Sequence, residues 1–175
     1  NHLFFKLADR FWPGPLTLIL QSKAIIPKIT TGGLNTVALR SPNCEPFRKC
    51  LDQTQLYLAA PSANLSNRIS PTCARHVISN FGSKTPPIFD GGAARYGIES
   101  TVLDISSEKI QLLRHGPIGI TEIEEFLDQP IFSHNLSVKE ELRSPGTSMV
   151  HYSPVTPMKV YKSFQNLLSC SSLSE

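Results

Sequence analysis

Residues 97–105 read Gly-Ile-Glu-Ser-Thr-Val-Leu-Asp-Ile, a polar triplet that leads directly into an apolar run. A second stretch, residues 56–66, reads Leu-Tyr-Leu-Ala-Ala-Pro-Ser-Ala-Asn-Leu-Ser and has the opposite order, with polar residues after the apolar run. Both runs predict buried strands, and both place hydroxyl or amide side chains at a strand end. A sheet with two such polar rims predicts a pocket for a ligand rich in hydrogen-bond acceptors.

Periodicity and the positions of glycine and proline predict the remaining elements. Strands are predicted at residues 16–21, 36–40, 56–60, 87–90, 100–105 and 110–114, and helices at residues 2–11, 43–51, 72–81 and 121–127. Thr121 is the expected N-cap of the last of these helices, with Glu124 as its capping-box partner. Short strands mixed with short helices indicate an α/β fold with a β-sheet of mixed direction.

The chain is predicted to contain one main domain and the beginning of another. The main domain is expected at residues 1–128, and residues 129–156 form a linker because periodicity fades there. Residues 157–175 are the expected start of a second domain, with a strand at 158–161 and a helix at 163–168. The first residue is not Met and lies within a helical pattern, which predicts that these residues belong to something longer.

Composition excludes several classes of function. The 17 cationic side chains are spread along the chain and the net charge is only +3, so nucleic acid is not indicated as the main ligand. No run of eighteen apolar residues exists, so a soluble, cytoplasmic protein without a membrane span is expected. A zinc site is not expected, because no CxxC spacing occurs among the four cysteines, Cys44, Cys50, Cys73 and Cys170.

Two arginines end predicted strands beside loops rich in hydroxyl groups. Arg40 and Arg114 can each hold a carboxylate or phosphate through two parallel hydrogen bonds, although a single arginine of this kind is more often a solvated surface residue. The loop at residues 62–72 is rich in serine, threonine and asparagine, which turn formation alone also favours. Its density of donors is more typical of phosphate or amino-acid recognition, so the combination predicts an anionic ligand.

Six motifs, taken in chain order, carry a family resemblance. They are FWPGPLT, TVALR, PSANLS with SPT, GIESTV, LLRHG, and SPG with HYSP, and they span about residues 4–157. This series resembles the YrdC/Sua5 family of threonylcarbamoyl-AMP synthases. The resemblance implies a YrdC-like catalytic domain, in which a twisted mixed sheet with helices presents a concave ligand-binding face. It also implies the Sua5 branch, whose linker leads to a smaller C-terminal domain, truncated here.

The resemblance further implies a reaction and its participants. Threonine, bicarbonate and ATP would form threonylcarbamoyl-AMP and pyrophosphate, on the route to N6-threonylcarbamoyladenosine in tRNA. Mg²⁺ would be carried mainly by phosphates and water. A downstream tRNA threonylcarbamoyl transferase would take the product. Positioning and charge neutralisation would supply most of the catalysis, so no single catalytic residue and no metal ligand is implied.

Motif positions imply roles for ten residues. Contacts to threonine are implied for Arg40, Ser62 and Ser100. Contacts to ATP are implied for Thr36, Asn64, Ser70, Thr72, Arg114, His151 and Tyr152. The last two lie in the linker, which is expected to close over the nucleotide.

The sequence departs from the family pattern in two places. A lysine and an arginine two residues apart should precede Asn1, so the chain alone is expected to be inactive or nearly so. In the linker, residues 147–150 replace the usual Met-Lys-Tyr-Arg by Thr-Ser-Met-Val, which removes its basic residues.

Two other hypotheses fit parts of the sequence. A basic concave face could bind tRNA or double-stranded RNA, but Phe and Tyr are not interleaved with cations as base stacking requires. A carbamoyl-adenylate-handling domain of a hydrogenase-maturation carbamoyltransferase is the other hypothesis. The HYSP motif argues against it, because that linker belongs to the Sua5 branch.

Overall fold

Helices and strands intermix in the computed structural model, which describes residues 1–133 and 161–163. The α-helices are α1 (His2–Phe11), α2 (Glu45–Thr54), α3 (Ala74–Phe81) and α4 (Ile120–Leu127). The strands are β1 (Leu16–Gln21), β2 (Thr36–Leu39), β3 (Thr101–Asp104), β4 (Gln111–Arg114) and β5 (Phe132–Ser133). Two short 3₁₀ helices lie at Lys28–Thr31 and Gly82–Lys84. The prediction of an α/β fold is confirmed.

The five strands form one mixed sheet in the order β2-β1-β3-β4-β5. β1 pairs antiparallel with β2 and parallel with β3, and β3 pairs antiparallel with β4, which is parallel to β5. A parallel pair needs a long crossover, and residues 22–100 provide it between β1 and β3. The adjacent starts of β1 and β3 therefore come from distant parts of the chain.

One face of the sheet packs against α1 and α4 and forms the core. The core cluster contains Leu7, Phe11, Leu16, Leu18, Leu103, Ile105, Ile110, Leu112, Ile123, Leu127 and Ile131. Leu16 and Leu18 of β1 belong to it, so alternation places Thr17 and Ile19 on the opposite side of the sheet. We call that opposite side, which also carries Val102 of β3, the second face.

The predicted capping of α4 is wrong. Thr121 lies inside the helix, whose N-cap is Gly119 without a side-chain cap bond. The chain is fixed just before the helix instead, because Thr101 Oγ1 donates to Ile118 O at 2.8 Å and accepts from Ile118 N at 3.2 Å. Glu124 Oε1 accepts from Ile131 N at 2.8 Å, so Glu124 holds the segment after α4 rather than its first turn.

Two predicted strands, at residues 56–60 and 87–90, are also wrong. Neither segment belongs to a strand, and Tyr57 is fully exposed while Phe89 is 80% exposed. Apolar, β-prone residues form a strand only when a neighbouring strand pairs with their backbone groups. The described part of the chain provides no such partner for these two segments.

Two remaining predictions concern the C-terminal residues. Tyr161, the last residue of the strand expected at 158–161, belongs to no strand, and residues 158–160 and 164–168 lie outside the described residues.

No helix within residues 1–133 or 161–163 is long and apolar enough to cross a bilayer.

Candidate functional site: a polar cluster around Ser100

A β-bulge decides which face of the sheet carries Arg114. Leu103 pairs with Leu112, whereas Val102 pairs with Arg114, so the register shifts by one residue and Leu113 is left without a partner. Residues that pair directly share a face, so Arg114 lies on the second face with Val102, and Leu112 lies on the core face. In a regular ladder, Arg114 would share the face of Leu112 and be directed toward the core.

Arg114 and Thr17 hold Ser100 at the start of β3. Arg114 Nε donates to Ser100 O at 3.0 Å, and Arg114 Nη2 donates to Ser100 Oγ at 3.0 Å. Thr17 Oγ1 lies 2.7 Å from Ser100 Oγ, and either hydroxyl can be the donor. Ser100 is only 3% exposed, so its orientation is set by these partners rather than by water.

Within residues 1–133 and 161–163, the hydroxyl pair has one proton for which no acceptor is present. Ser100 Oγ accepts from Arg114, and the pair of hydroxyls has two protons but consumes only one of them in their mutual hydrogen bond. If Thr17 donates, the proton of Ser100 remains; if Ser100 donates, that of Thr17 remains. A free O–H beside a guanidinium suits a carboxylate or phosphate oxygen.

Glu99 extends this group toward the hydroxyl-rich loop. Ser70 Oγ donates to Glu99 Oε1 at 2.6 Å, and Arg114 Nη2 lies 4.0 Å from Glu99 Oε2. We call the five residues Thr17, Ser70, Glu99, Ser100 and Arg114 the Ser100 cluster. Close to it, Thr72 O accepts from Ala94 N at 2.8 Å, which attaches the same loop to the segment before Glu99.

Gly116 allows the loop after β4 to approach the start of β3. A Cβ at this position would lie 2.5 Å from Ser100 C and 2.6 Å from Glu99 O, and closer still to Thr101 N. Only a residue without a side chain fits against that backbone. Gly116 of the LLRHG motif therefore leaves the space that the backbone of residues 99–101 occupies, and this close packing positions Glu99 and Ser100.

Asn64 has a buried oxygen without a hydrogen-bond partner. Its Nδ2 donates to Leu65 O and to Arg68 O, both at 2.9 Å, while its Oδ1 is shielded from solvent and has no partner among the described residues. The two carbonyl acceptors fix which end of the amide is nitrogen. An unpaired buried acceptor is unfavourable until a donor reaches it, so Asn64 Oδ1 suits an N–H or O–H group of a ligand.

Thr36 of β2 and Arg40, which directly follows β2, share the second face but lie at opposite ends of the strand. Thr36 pairs with Gln21 at the far end of β1, whereas Arg40 follows Leu39, the partner of Leu18. The two residues are about 13 Å apart along the strand. Arg40 is exposed and lies at the end of the sheet where β1 and β3 begin, which is also where Arg114 lies.

The structure thus brings two of the predicted residues, Ser100 and Arg114, into direct contact, and Ser70 joins them only through Glu99. The described hydrogen bonds do not reach Ser62, which is exposed, or Arg40. Thr72 Oγ1 lies 3.2 Å from His76 Nδ1 of α3. The predicted linker residues His151 and Tyr152 lie outside the described residues.

Sequence reasoning missed two members of the cluster. Thr17 is a polar residue within the apolar strand β1, and its alternation with Leu16 and Leu18 places it away from the core. Glu99 belongs to the polar triplet that precedes the apolar run of β3, and this pattern predicts no separate role for it. Nothing local indicates that either residue would contact partners 83 and 29 positions away in sequence.

The protein itself offers few ligands for a metal ion in this region. Within residues 1–133 and 161–163, no three His, Cys, Asp or Glu side chains are grouped so that they could hold a metal. The carboxylate of Glu99 is already engaged by Ser70.

Known proteins are similar to this chain in sequence. The profile of the Sua5–YciO–YrdC family, described as telomere recombination, matches residues 1–116. Threonylcarbamoyl-AMP synthase of Pyrococcus abyssi is 42% identical over 150 residues, which are 85% of this chain and 44% of that protein. Threonylcarbamoyl-AMP synthase of Bacillus subtilis is 41% identical over 157 residues, which are 88% of this chain and 45% of that protein.

A solved structure has the same fold. The crystal structure of P. abyssi Sua5 complexed with L-threonine matches with a TM-score of 0.80 and 41% identity, and the match covers 88% of this chain and 46% of that one. The chain therefore spans slightly less than half the length of these relatives. With a family profile that matches residues 1–116 of 175 and relatives above 40% identity, this chain belongs to the Sua5–YciO–YrdC family.

Proposed function

We propose that this chain carries the substrate-binding face of an L-threonylcarbamoyladenylate synthase. The observation that carries the proposal is the Ser100 cluster, where a guanidinium and an unused hydroxyl proton lie at the end of a sheet that Arg40 also borders. This combination suits a ligand with carboxylate and phosphate groups. The relatives named threonylcarbamoyl-AMP synthase support this function, and the L-threonine complex of a Sua5 protein supports threonine as one of the substrates.

The reaction needs two anionic reactants to be brought together. The amine of threonine adds to the carbon of bicarbonate, and loss of water gives a carbamate. A carbamate oxygen then attacks the α-phosphorus of ATP, and pyrophosphate leaves. No covalent enzyme intermediate is required, so the work of the protein is to orient the reactants and to neutralise their charge.

The proposed contacts divide between the two substrates. Arg40, Ser62 and Ser100 bind threonine, with Arg40 placed for its carboxylate. ATP is bound by Thr36, Asn64, Ser70, Thr72, Arg114, His151 and Tyr152. Mg²⁺ would be carried by ATP, mainly through its phosphates and water, and when bound it would supply neutralisation of phosphate charge.

The activity itself is the first prediction. The full-length protein is expected to release pyrophosphate from ATP only when both threonine and bicarbonate are present, because the carbamate is the nucleophile. Pyrophosphate release is measured by a coupled phosphate assay, and the product is identified by mass spectrometry. Serine and alanine in place of threonine are the controls. Release that does not depend on threonine, or salt-sensitive tRNA binding without any ATP turnover, would contradict the proposal.

The threonine contacts provide a second prediction. Ser100→Ala and Arg40→Ala in the full-length protein are each expected to weaken threonine binding by roughly tenfold, the usual effect of losing one hydrogen bond to a charged group. Threonine affinity is measured by isothermal titration calorimetry. Ser107→Ala and Arg48→Ala are matched controls, because both residues are exposed and neither takes part in the hydrogen bonds of the Ser100 cluster. Unchanged threonine affinity in both site variants would remove them from the site.

We also propose a place for the protein in the cell. Threonylcarbamoyl-AMP is a mixed anhydride and hydrolyses readily, so a tRNA threonylcarbamoyl transferase must take it up soon after release. ATP, bicarbonate and tRNA are all present in the cytoplasm, where we place this reaction.

A further inference from the structure

Glu99 connects two residues that are far apart in sequence. Its Oε1 accepts a hydrogen bond of 2.6 Å from Ser70, which belongs to the loop between residues 61 and 72. Its Oε2 lies 4.0 Å from Nη2 of Arg114, which ends β4. The two carboxylate oxygens therefore face two different elements, and Glu99 bridges them.

Partial burial strengthens the interactions that Glu99 makes with Ser70 and Arg114. Its side chain is 26% exposed and that of Arg114 is 16% exposed, so water screens their interaction only in part. The contact with Ser70 is short, as expected for a hydroxyl that donates to a carboxylate. Arg114 also donates to Ser100, at 3.0 Å through both Nε and Nη2. Glu99 is thus well placed to fix the loop and to bias the orientation of the guanidinium.

We infer that Glu99 is a positioning residue for ATP, which couples the Ser70 loop to Arg114 so that both face the nucleotide together. The inference rests on the proposed function, because it takes Ser70 and Arg114 as ATP contacts. Glu99 itself does not need to touch ATP, and a carboxylate next to phosphates would be repelled if it did. Its effect passes through the two residues that it holds.

The test uses three variants of the full-length protein. Glu99→Ala is expected to raise the Kd and the KM for ATP by roughly tenfold and to change the KM for threonine much less. Glu99→Gln keeps an oxygen that accepts from Ser70, so it is expected to recover most of the ATP affinity. In the double variant Glu99→Ala with Ser70→Ala, the loss of ATP affinity is expected to be smaller than the sum of the two single losses, because the residues act as a unit.

The controls separate positioning from general instability. Glu108→Ala removes an exposed glutamate from the turn between β3 and β4 and is expected to leave the KM for ATP unchanged. Thermal denaturation is measured for every variant. The inference is overturned if Glu99→Ala binds ATP like the unaltered protein, or if the KM values for ATP and threonine rise equally and Glu99→Gln gives no recovery.

Failure of the proposed function would look different. In that case the unaltered protein would release no pyrophosphate in the presence of threonine and bicarbonate, whatever the state of residue 99. Threonine-dependent turnover by the unaltered protein, combined with wild-type ATP binding by Glu99→Ala, would instead overturn only the role of Glu99.

Discussion

Arg114→Ala is expected to weaken ATP binding by roughly 10- to 100-fold, the range for losing charge-assisted hydrogen bonds to a phosphate. The same change removes the donors that Ser100 O and Ser100 Oγ use at 3.0 Å. Ser100 is nearly buried, and although its Oγ keeps Thr17 as a partner, its carbonyl oxygen loses the Arg114 Nε donor, so the free energy of unfolding is expected to fall by about 1–3 kcal/mol. Calorimetric titration with ATP and urea denaturation measure the two effects separately.

Arg114→Lys distinguishes charge from geometry at this position. Lysine keeps the positive charge but cannot donate two parallel hydrogen bonds, so only part of the ATP affinity is expected to return. Arg48→Ala on α2 is the control, since Arg48 is exposed and is predicted to leave both quantities unchanged. If Arg114→Ala and the unaltered protein bind ATP equally well, Arg114 has a purely structural role at Ser100.

Gly116→Ala is expected to destabilise the protein by about 1–3 kcal/mol, the usual cost of forcing a methyl group into a closely packed site. The new Cβ would overlap the backbone at residues 99–101, with 2.5 Å to Ser100 C and 2.6 Å to Glu99 O. Backbone atoms cannot rotate away as a side chain can, so the loop after β4 or the start of β3 must move. Movement at the start of β3 also displaces Ser100, so threonine affinity is expected to fall together with stability.

Gly97→Ala is the matched control for this substitution. The nearest atom to its added Cβ would be Thr72 Cγ2 at 3.9 Å, an ordinary van der Waals distance. Its backbone lies outside the left-handed region, so alanine adds no strain there. Urea denaturation compares the two variants. An equal and small loss of stability for both would show that the close approach at Gly116 relaxes without cost.

Much of the sheet could be predicted from local patterns. β1 and β2 lie where strands were predicted, from the residue pattern on either side of two adjacent glycines. β3 and β4 lie where two apolar runs predicted strands. The same reasoning failed at residues 56–60 and 87–90. Those segments have strand-like composition, but a strand also needs a partner, and composition carries no information about which backbone lies alongside it.

The candidate site was predictable only in part. Ser100 and Arg114 stood out because polar groups at strand ends reach ligands, and the family resemblance gave each a role. Their direct contact depends on the unpaired residue Leu113, which turns Arg114 onto the second face. A bulge of this kind has no signature in the residues Ile110 to Arg114, which look like an ordinary strand.

The sequence by itself determined the kinds of groups available here: hydroxyls and a carboxylate before β3, and a guanidinium at the end of β4. It also determined the fold class, because periodicity of two and of 3.6 residues reflects local backbone geometry. Only the tertiary structure decided which of these groups meet. Thr17 contacts Ser100 across 83 positions and Ser70 contacts Glu99 across 29, because the parallel crossover and the loop at residues 61–72 bring together segments that have no local relation.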